Sequence, residues 1–402
     1  MEAMEPNIVS EAGGSPAQRA RCGGRAELAT LLRNTRTRTL RLLDAYEAAL
    51  GPALPVPQAD GLNPPLWELG HIGWFADRWI ARNPQRALGT MADPHAPLAP
   101  ARQGTRGVDA DALYDSSAVP HGARWHLSLP DLPATREDLQ AQLDDTVALL
   151  QDGGIDNTNE TDEGLYFFRL ALFHEAMHAE AWVYMAQRLG IDVGEPAPPP
   201  TAPRDAPLHL PAGEWAQGWP GAGFAFDNEL RGEVVSIGAF DIDAQPVHWA
   251  RYLPAVRAGA VPLPRHLRHV DGQWQQRVHG KWRALDLLAP ACHLSCHEAL
   301  AWCAWAGRRL PTEVEWEYAA HHAEGFDWGS VWEWTASAFA PLAGFKPHPY
   351  RDYSQPWFDG RPVLKGACHA TAACMRHPRY RNFFTADRTD IFAGFRSVGR
   401  AA

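Results

Sequence analysis

Apolar positions recur at helical spacing along the first half of the chain and lose that spacing in the second. RAELATLLRNTRTRTLRLLDAYEAAL sets apolar residues on one face and arginines on the other, as an amphipathic helix does. PPLWELGHIGWFADRWIAR enters through Pro-Pro, a favourable helix start, and keeps the period. TREDLQAQLDDTVALLQD opens on Thr135 as N-cap, with acids in its first turn, and ends before Gly153-Gly154. DEGLYFFRLALFHEAMHAEAWVYMAQRLG is the longest periodic run, and Gly190 stops it. Four such helices predict an antiparallel bundle over residues 26–192. Residues 83–132 form a long connection, which is expected to carry small elements or function.

GEPAPPPTAPRDAP follows, and residues 193–207 read as a stiff, extended linker. Residues 208–402 then offer short apolar runs, many turn signals and an abundance of Trp, Gly and Pro. Only two helices stand out there, over residues 249–256 and in SCHEALAWCAWAG, where Ser295 caps and Gly307 stops. Residues 1–25 are polar and Gly-rich and read as a flexible tail. The expected architecture is α+β in two domains, a helical bundle followed by a loop-rich α+β unit.

Composition narrows the function classes. With 402 residues and 46% apolar content the chain can bury a sizeable core. A formal charge of −10 speaks against a nucleic-acid or acidic-membrane partner. No apolar stretch has spanning length. The six cysteines form no regular framework and read as reduced thiols of a cytoplasmic protein.

The candidate chemistry sits in FHEAMH. His174 and His178 are four residues apart, so on a helix both imidazoles leave one face and can share a first-row metal ion. Their helix is strongly apolar, where unpaired polar groups are costly. His71 lies on another predicted helix among Trp67, Trp74 and Phe75, so it also should face inward. Three histidines on two helices leave coordination positions open for substrate and dioxygen. HEAMH is also a literal HExxH, which in zinc peptidases makes Glu175 the general base. A metal-stabilised bundle carrying a lectin-like binding module, without turnover, is a third reading.

Longer phrases carry a family resemblance: FAFDNELRGEVVSIGAFDID, SCHEALAWCAWAGRRLPTEVEWEYAA, VWEWTASAFAPLAGFKPHPYRDYSQPWFDG, RNFF and IFAGFRSVGR. The first half resembles a DinB-type four-helix bundle. The second resembles the formylglycine-generating-enzyme fold, a C-type-lectin-like domain. The pairing resembles the ergothioneine-type sulfoxide synthases and their relatives. That resemblance implies an Fe(II) site at His71, His174 and His178. It also implies O2-dependent attachment of sulfur or selenium to C2 of the imidazole of hercynine (trimethylhistidine). Asn382 matches a position that contacts hercynine, and Tyr350 or Tyr353 lies where relatives place a tyrosine beside the iron. Arg102 and Arg106, in the long connection, are candidate clamps for an anionic donor.

Three departures bear on the donor. A glutamine often precedes the second metal-helix histidine, and here that position is Met177. An aspartate that holds the amino group of γ-glutamylcysteine is absent, since Asn382 is followed by Phe383 and Phe384. The usual Gly-Gly-Ser-Trp turn reads Gly366-Ala367-Cys368-His369. Together with ADALYDSSAVPHGARW these changes resemble the selenoneine-synthase branch, whose members join hercynine to a selenosugar. An ergothioneine-type synthase using a thiol such as γ-glutamylcysteine is the sulfur alternative. Cys368 and Cys374 are out of register with the copper cysteines of true formylglycine-generating enzymes.

Overall fold

A computed structural model describes residues 14–100, 109–152, 161–195, 202–230 and 232–399. Arg102 and Arg106 lie outside the described residues, as do residues 196–201 of the Pro-rich linker. The first half contains α1 (Pro16–Cys22), α2 (Arg25–Leu50), α3 (Pro65–Ala76), α4 (Ala110–Tyr114), α5 (Leu132–Gln151) and α6 (Asp162–Leu189). The four long helices form the bundle: α2 packs on α5 and α6, and α3 packs on the same two.

Local chemistry sets the ends of these helices. Pro65 opens α3, and beyond Ala76 the helix widens into one π turn, Asp77–Ala81. Thr161 caps α6 by accepting from the Gly164 amide, and Gly190 closes it in the left-handed conformation at φ 81°. The third long helix starts earlier than its Thr135 signal suggested. Asp131 is the cap, accepting from the Ala134 amide, and Thr135 turns inward to bond the Asp131 carbonyl. The long connection carries α4 and short 3-10 turns at Arg86–Met91 and His121–His126.

Helix α6 is buried almost all round because it is wrapped from two sides. Phe167 and Trp182 belong to the bundle interior, while Phe173 meets Phe224 and Phe226 of the second half. Each such aromatic is fully buried and contributes roughly 2–3 kcal/mol of transfer free energy.

The second half contains β1 (Pro207–Leu210), β2 (Gly213–Ala216), β3 (Val234–Ile237), β4 (Phe240–Asp243), α7 (Trp249–Arg257), β5 (Leu267–Val270), β6 (Gln273–Val278) and β7 (Lys281–Ala284). It continues through α8 (Cys296–Trp305), β8 (Arg308–Arg309), α9 (Glu313–His322), β9 (Trp332–Ala338), β10 (Pro362–Gly366), β11 (Asn382–Phe383), β12 (Ala393–Gly394) and β13 (Val398–Gly399). The strands pair as β1-β4-β13-β8, β11-β10-β9-β12, β2-β3 and the meander β5-β6-β7. Helix α8 has the expected Ser295 cap. Helix α9 is a third helix where two were expected. A Thr312–Glu315 capping box starts it, and Trp316, flanked in sequence by Glu315 and Glu317, anchors it in the core.

Residues 16–22 are not a frayed tail. Ser15 caps α1, and the Arg21 guanidinium is buried against Glu229 at 2.8 and 3.0 Å, 4.6 Å over the Trp219 ring. A charge partner 208 positions away gives no local sequence signal.

Candidate metal centre and reaction cavity

His71 projects from α3, and His174 and His178 project from adjacent turns of α6. One donor atom from each lies within 4.8 Å of the others, and the ring centroids are 4.5–5.0 Å apart. Each ring is held by its neighbours. His71 Nδ1 donates to the Tyr114 carbonyl at 2.8 Å, which leaves Nε2 with its lone pair. His178 Nδ1 is 2.5 Å from the buried Glu68 carboxylate, an arrangement that fixes the orientation of the ring. His174 stacks on Phe75 at 3.6 Å, the two rings nearly parallel.

Burial, reinforced by the neighbouring His178, pushes the His71 imidazole down to about 3, and burial likewise drives His174 well below its ordinary value. Neutral imidazoles are what a metal ion needs as ligands. Burial alone would raise Glu68, yet His178 and Asn63 hold its carboxyl below the ordinary range. The donor set therefore fits a first-row divalent ion with open positions.

The His71 support depends on a close approach. A Cβ on Gly70 would lie 2.1 Å from the Tyr114 ring, so only glycine lets α4 pack there. Asp111 pins α4 by accepting from Arg82 at 2.7 and 2.8 Å and from Trp74 Nε1 at 2.6 Å. Arg124, later in the same segment, lies 3.8 Å over Trp67.

Beside His178 opens a cavity of about 210 Å3 between α6 and the second half. Met177, His178, Glu180, Ala181 and Tyr184 form its α6 side. Trp332, Met375, Tyr380, Asn382 and Phe384 form the other. Met177, Asn382 and Phe384 thus line one cavity with His178. Phe383 is not: side chains alternate along β11, so it turns away and stacks on Phe339 at 4.0 Å. Tyr353 stacks on Phe226, and its hydroxyl is 3.1 Å from that of Tyr380 and 3.8 Å from the Met177 sulfur. Tyr350 meets Phe75 edge-on at 4.9 Å, with its ring 6.5 Å from that of His174.

Sequence reasoning missed Glu68, Glu180, Tyr184 and Tyr380. Glu68 had a signal, since it precedes His71 by one helical turn. Trp332 lines the cavity, and its Nε1 donates at 2.6 Å to Glu180, whose carboxyl burial raises. Trp334 is a core residue, its Nε1 bonded to the Leu294 carbonyl at 2.7 Å. Glu175 faces away from the histidines and pairs with Arg36 at 2.8 and 3.0 Å, so the base of the peptidase reading is already engaged. All six cysteines are free thiols. Among the described residues no helix is long and apolar enough to cross a membrane.

Fold and site together define a two-domain metalloenzyme-like architecture, in which a bundle gathers three histidines, and one of them, His178, opens onto a cavity roofed by an α+β domain. The DinB superfamily model matches residues 31–182, and the sulfatase-modifying factor enzyme 1-like domain matches residues 193–329. The chain is 31% identical to the hercynine oxygenase of Mycolicibacterium thermoresistibile, over 92% of this chain and 94% of that protein. It is also 31% identical to the hercynine oxygenase of Mycobacterium tuberculosis, over 92% and 98%. The formylglycine-generating enzyme of Streptomyces coelicolor is 33% identical over 28% of this chain and 46% of that protein. The chain belongs to the hercynine oxygenase family and, with it, to the oxidoreductases.

Proposed function

We propose that His71, His174 and His178 hold Fe(II), and that the enzyme joins C2 of the hercynine imidazole to the selenium of a selenosugar at the expense of O2. Iron, when bound, would supply the activation of O2 that an unreactive imidazole C2–H bond requires. The protein's part is to hold both organic substrates side by side in the cavity between α6 and the second half. Supporting this reading are two buried imidazoles, His71 and His174, kept neutral by burial, and a half-buried third, His178, held in place by Glu68. The aromatic wall of Tyr184, Trp332 and Tyr380, with Glu180 beside it, suits a quaternary ammonium group such as hercynine carries.

The observation that carries the donor assignment is Phe384 on the cavity wall. A phenyl ring offers no counter-charge to the ammonium of γ-glutamylcysteine, but it can pack on the apolar face of a sugar. Glu180 is the one carboxylate among the described wall residues, and Trp332 already bonds it. Asn382 supplies a neutral polar contact, and Phe383 supports it from the opposite face of β11. Tyr353 would hold or pass a proton through Tyr380, whose hydroxyl it bonds at the cavity wall. Tyr350 would steady the His174 side through Phe75.

Similarity along nearly the whole chain to hercynine oxygenases favours a second reading, a sulfoxide synthase joining hercynine to a thiol such as γ-glutamylcysteine. Anaerobic loading with Fe(II), followed by hercynine, one donor and O2, separates the two by mass spectrometry. A carbon–selenium product with the selenosugar alone is the expected result. A sulfoxide with γ-glutamylcysteine at comparable rate would overturn the donor assignment, and no product from either donor would overturn the reaction.

A further inference from the structure

A second enclosed space lies where the end of α6 meets the β5–β7 meander and the loop after β11. It is a cavity of about 40 Å3 lined by Gln187, Arg188, Arg265, His266, Arg277 and Asp390. One water needs on the order of 10–15 Å3 by the same measure, so the space takes roughly three waters or one tetrahedral oxyanion.

The charges around it do not balance locally. Three arginines line the cavity, of which Arg188 also donates through Nη1 to the Asp60 carbonyl, while the Asp390 carboxylate is committed to Arg388 at 2.6 and 2.8 Å. The Gln187 amide is also engaged, donating to the Arg277 carbonyl at 2.8 Å and accepting from the His279 amide at 2.7 Å. His266 is only 8% exposed, and its buried Nδ1 has no hydrogen-bond partner among the described residues. Burial, then the Arg265 and Arg277 charges, push this imidazole down to about 4, which is the direction an anion would reverse. Like charges gathered around an enclosed space repel unless a counter-ion joins them. The donors also converge from three separate elements, α6, the β5 approach and β6, which suits a tetrahedral acceptor better than a planar carboxylate.

We propose that this seam between the two halves is a binding site for a tetrahedral oxyanion, inorganic phosphate or the terminal phosphoryl group of a small metabolite. Arg188, Arg265 and Arg277 supply the charge-assisted donors, and His266 is the buried polar group beside them. The site is separate from the proposed reaction and does not depend on it. It is nevertheless close in structure: Asp390 holds Arg388, whose guanidinium lies 4.8 Å over Phe384 and 5.8 Å over Tyr184 of the reaction cavity.

The test is calorimetric titration of the full-length, metal-loaded protein at low ionic strength. Inorganic phosphate is the ligand in one arm and glycerol 3-phosphate in the other. The comparison protein carries Arg265→Ser and Arg277→Ser, both exposed positions, and is checked by circular dichroism and thermal melting without ligand. Saturable one-site binding to the unmodified protein that weakens by about tenfold or more in the double variant is the expected result. Tighter binding of inorganic phosphate identifies the free ion as the ligand, and tighter binding of the monoester identifies a phosphoryl group; either supports the site. Linear, unsaturable heats in both arms, or equal affinity in the double variant, would overturn it.

Discussion

The histidine floor of the reaction cavity and its aromatic roof face each other but are held by different forces. The floor stands on α3 and α6, whose positions follow from apolar burial, and each histidine is fixed by a partner no farther away than the bundle's own connections. The roof stands on short strands and loops, whose buried apolar residues join the same core. Buried ion pairs peg it: Arg381 to Glu313 at 2.8 and 3.0 Å, Lys365 to Glu317 at 2.9 Å, and Arg396 to Glu333. Helical packing therefore dominates on the histidine side, while on the side proposed to select substrates long-range charge pairing is added to apolar burial. Metal binding and substrate choice should be separable by mutation.

The largest expected effect falls on the floor. His174→Ala should abolish iron binding and turnover while the bundle remains helical, as metal analysis and circular dichroism can check. Full iron occupancy in that variant would remove His174 from the ligand set. The next effect falls on the roof. Arg381→Ala leaves Glu313 buried without its partner, and breaking such a pair costs about 3–5 kcal/mol. Denaturant unfolding should report that loss, with metal affinity changed far less than activity. Equal loss of both would mean that floor and roof are one cooperative unit.

A smaller effect tests how the floor is tuned. Glu68→Gln keeps the shape of the side chain but removes the charge facing His178 Nδ1. Outer partners of ligating histidines typically contribute a factor of about 10–100 in metal affinity. A competition titration against a chelator should show a weakening in that range, and an unchanged affinity would reduce Glu68 to a structural role.

The same division explains what could be read from the sequence. His71, His174 and His178 were legible because helical periodicity alone points them to one interior, and the capping signals bound the helices that carry them. The α4 support of His71 was not, because it rests on Gly70 yielding space to a ring 44 positions away. Nor was α1, whose anchor is the distant Glu229. In the roof, Asn382 and Phe384 were found through resemblance to a family and not through any pattern of their own. Phe383 was wrongly grouped with them, although the alternation of a strand separates it from both neighbours. Tyr380 and Glu180 went unnoticed because a lone tyrosine or glutamate carries no local mark of facing a cavity.

The smallest perturbation is the one that bears most on substrate choice. Phe384→Asp changes one roof side chain at the cavity wall and leaves the floor untouched. Arg388, 4.8 Å over the ring, stands ready to neutralise the new carboxylate, so the fold should tolerate it. If the phenyl ring packs on a sugar, KM for a selenosugar should rise several-fold while iron affinity stays constant. If the ring also excludes ammonium-bearing donors by offering them no counter-charge, the variant should gain activity with γ-glutamylcysteine. A rise in KM without that gain would mean the ring contributes only packing. Unchanged kinetics with both donors would remove Phe384 from the donor site and leave the contrast between floor and roof resting on the ion pairs alone.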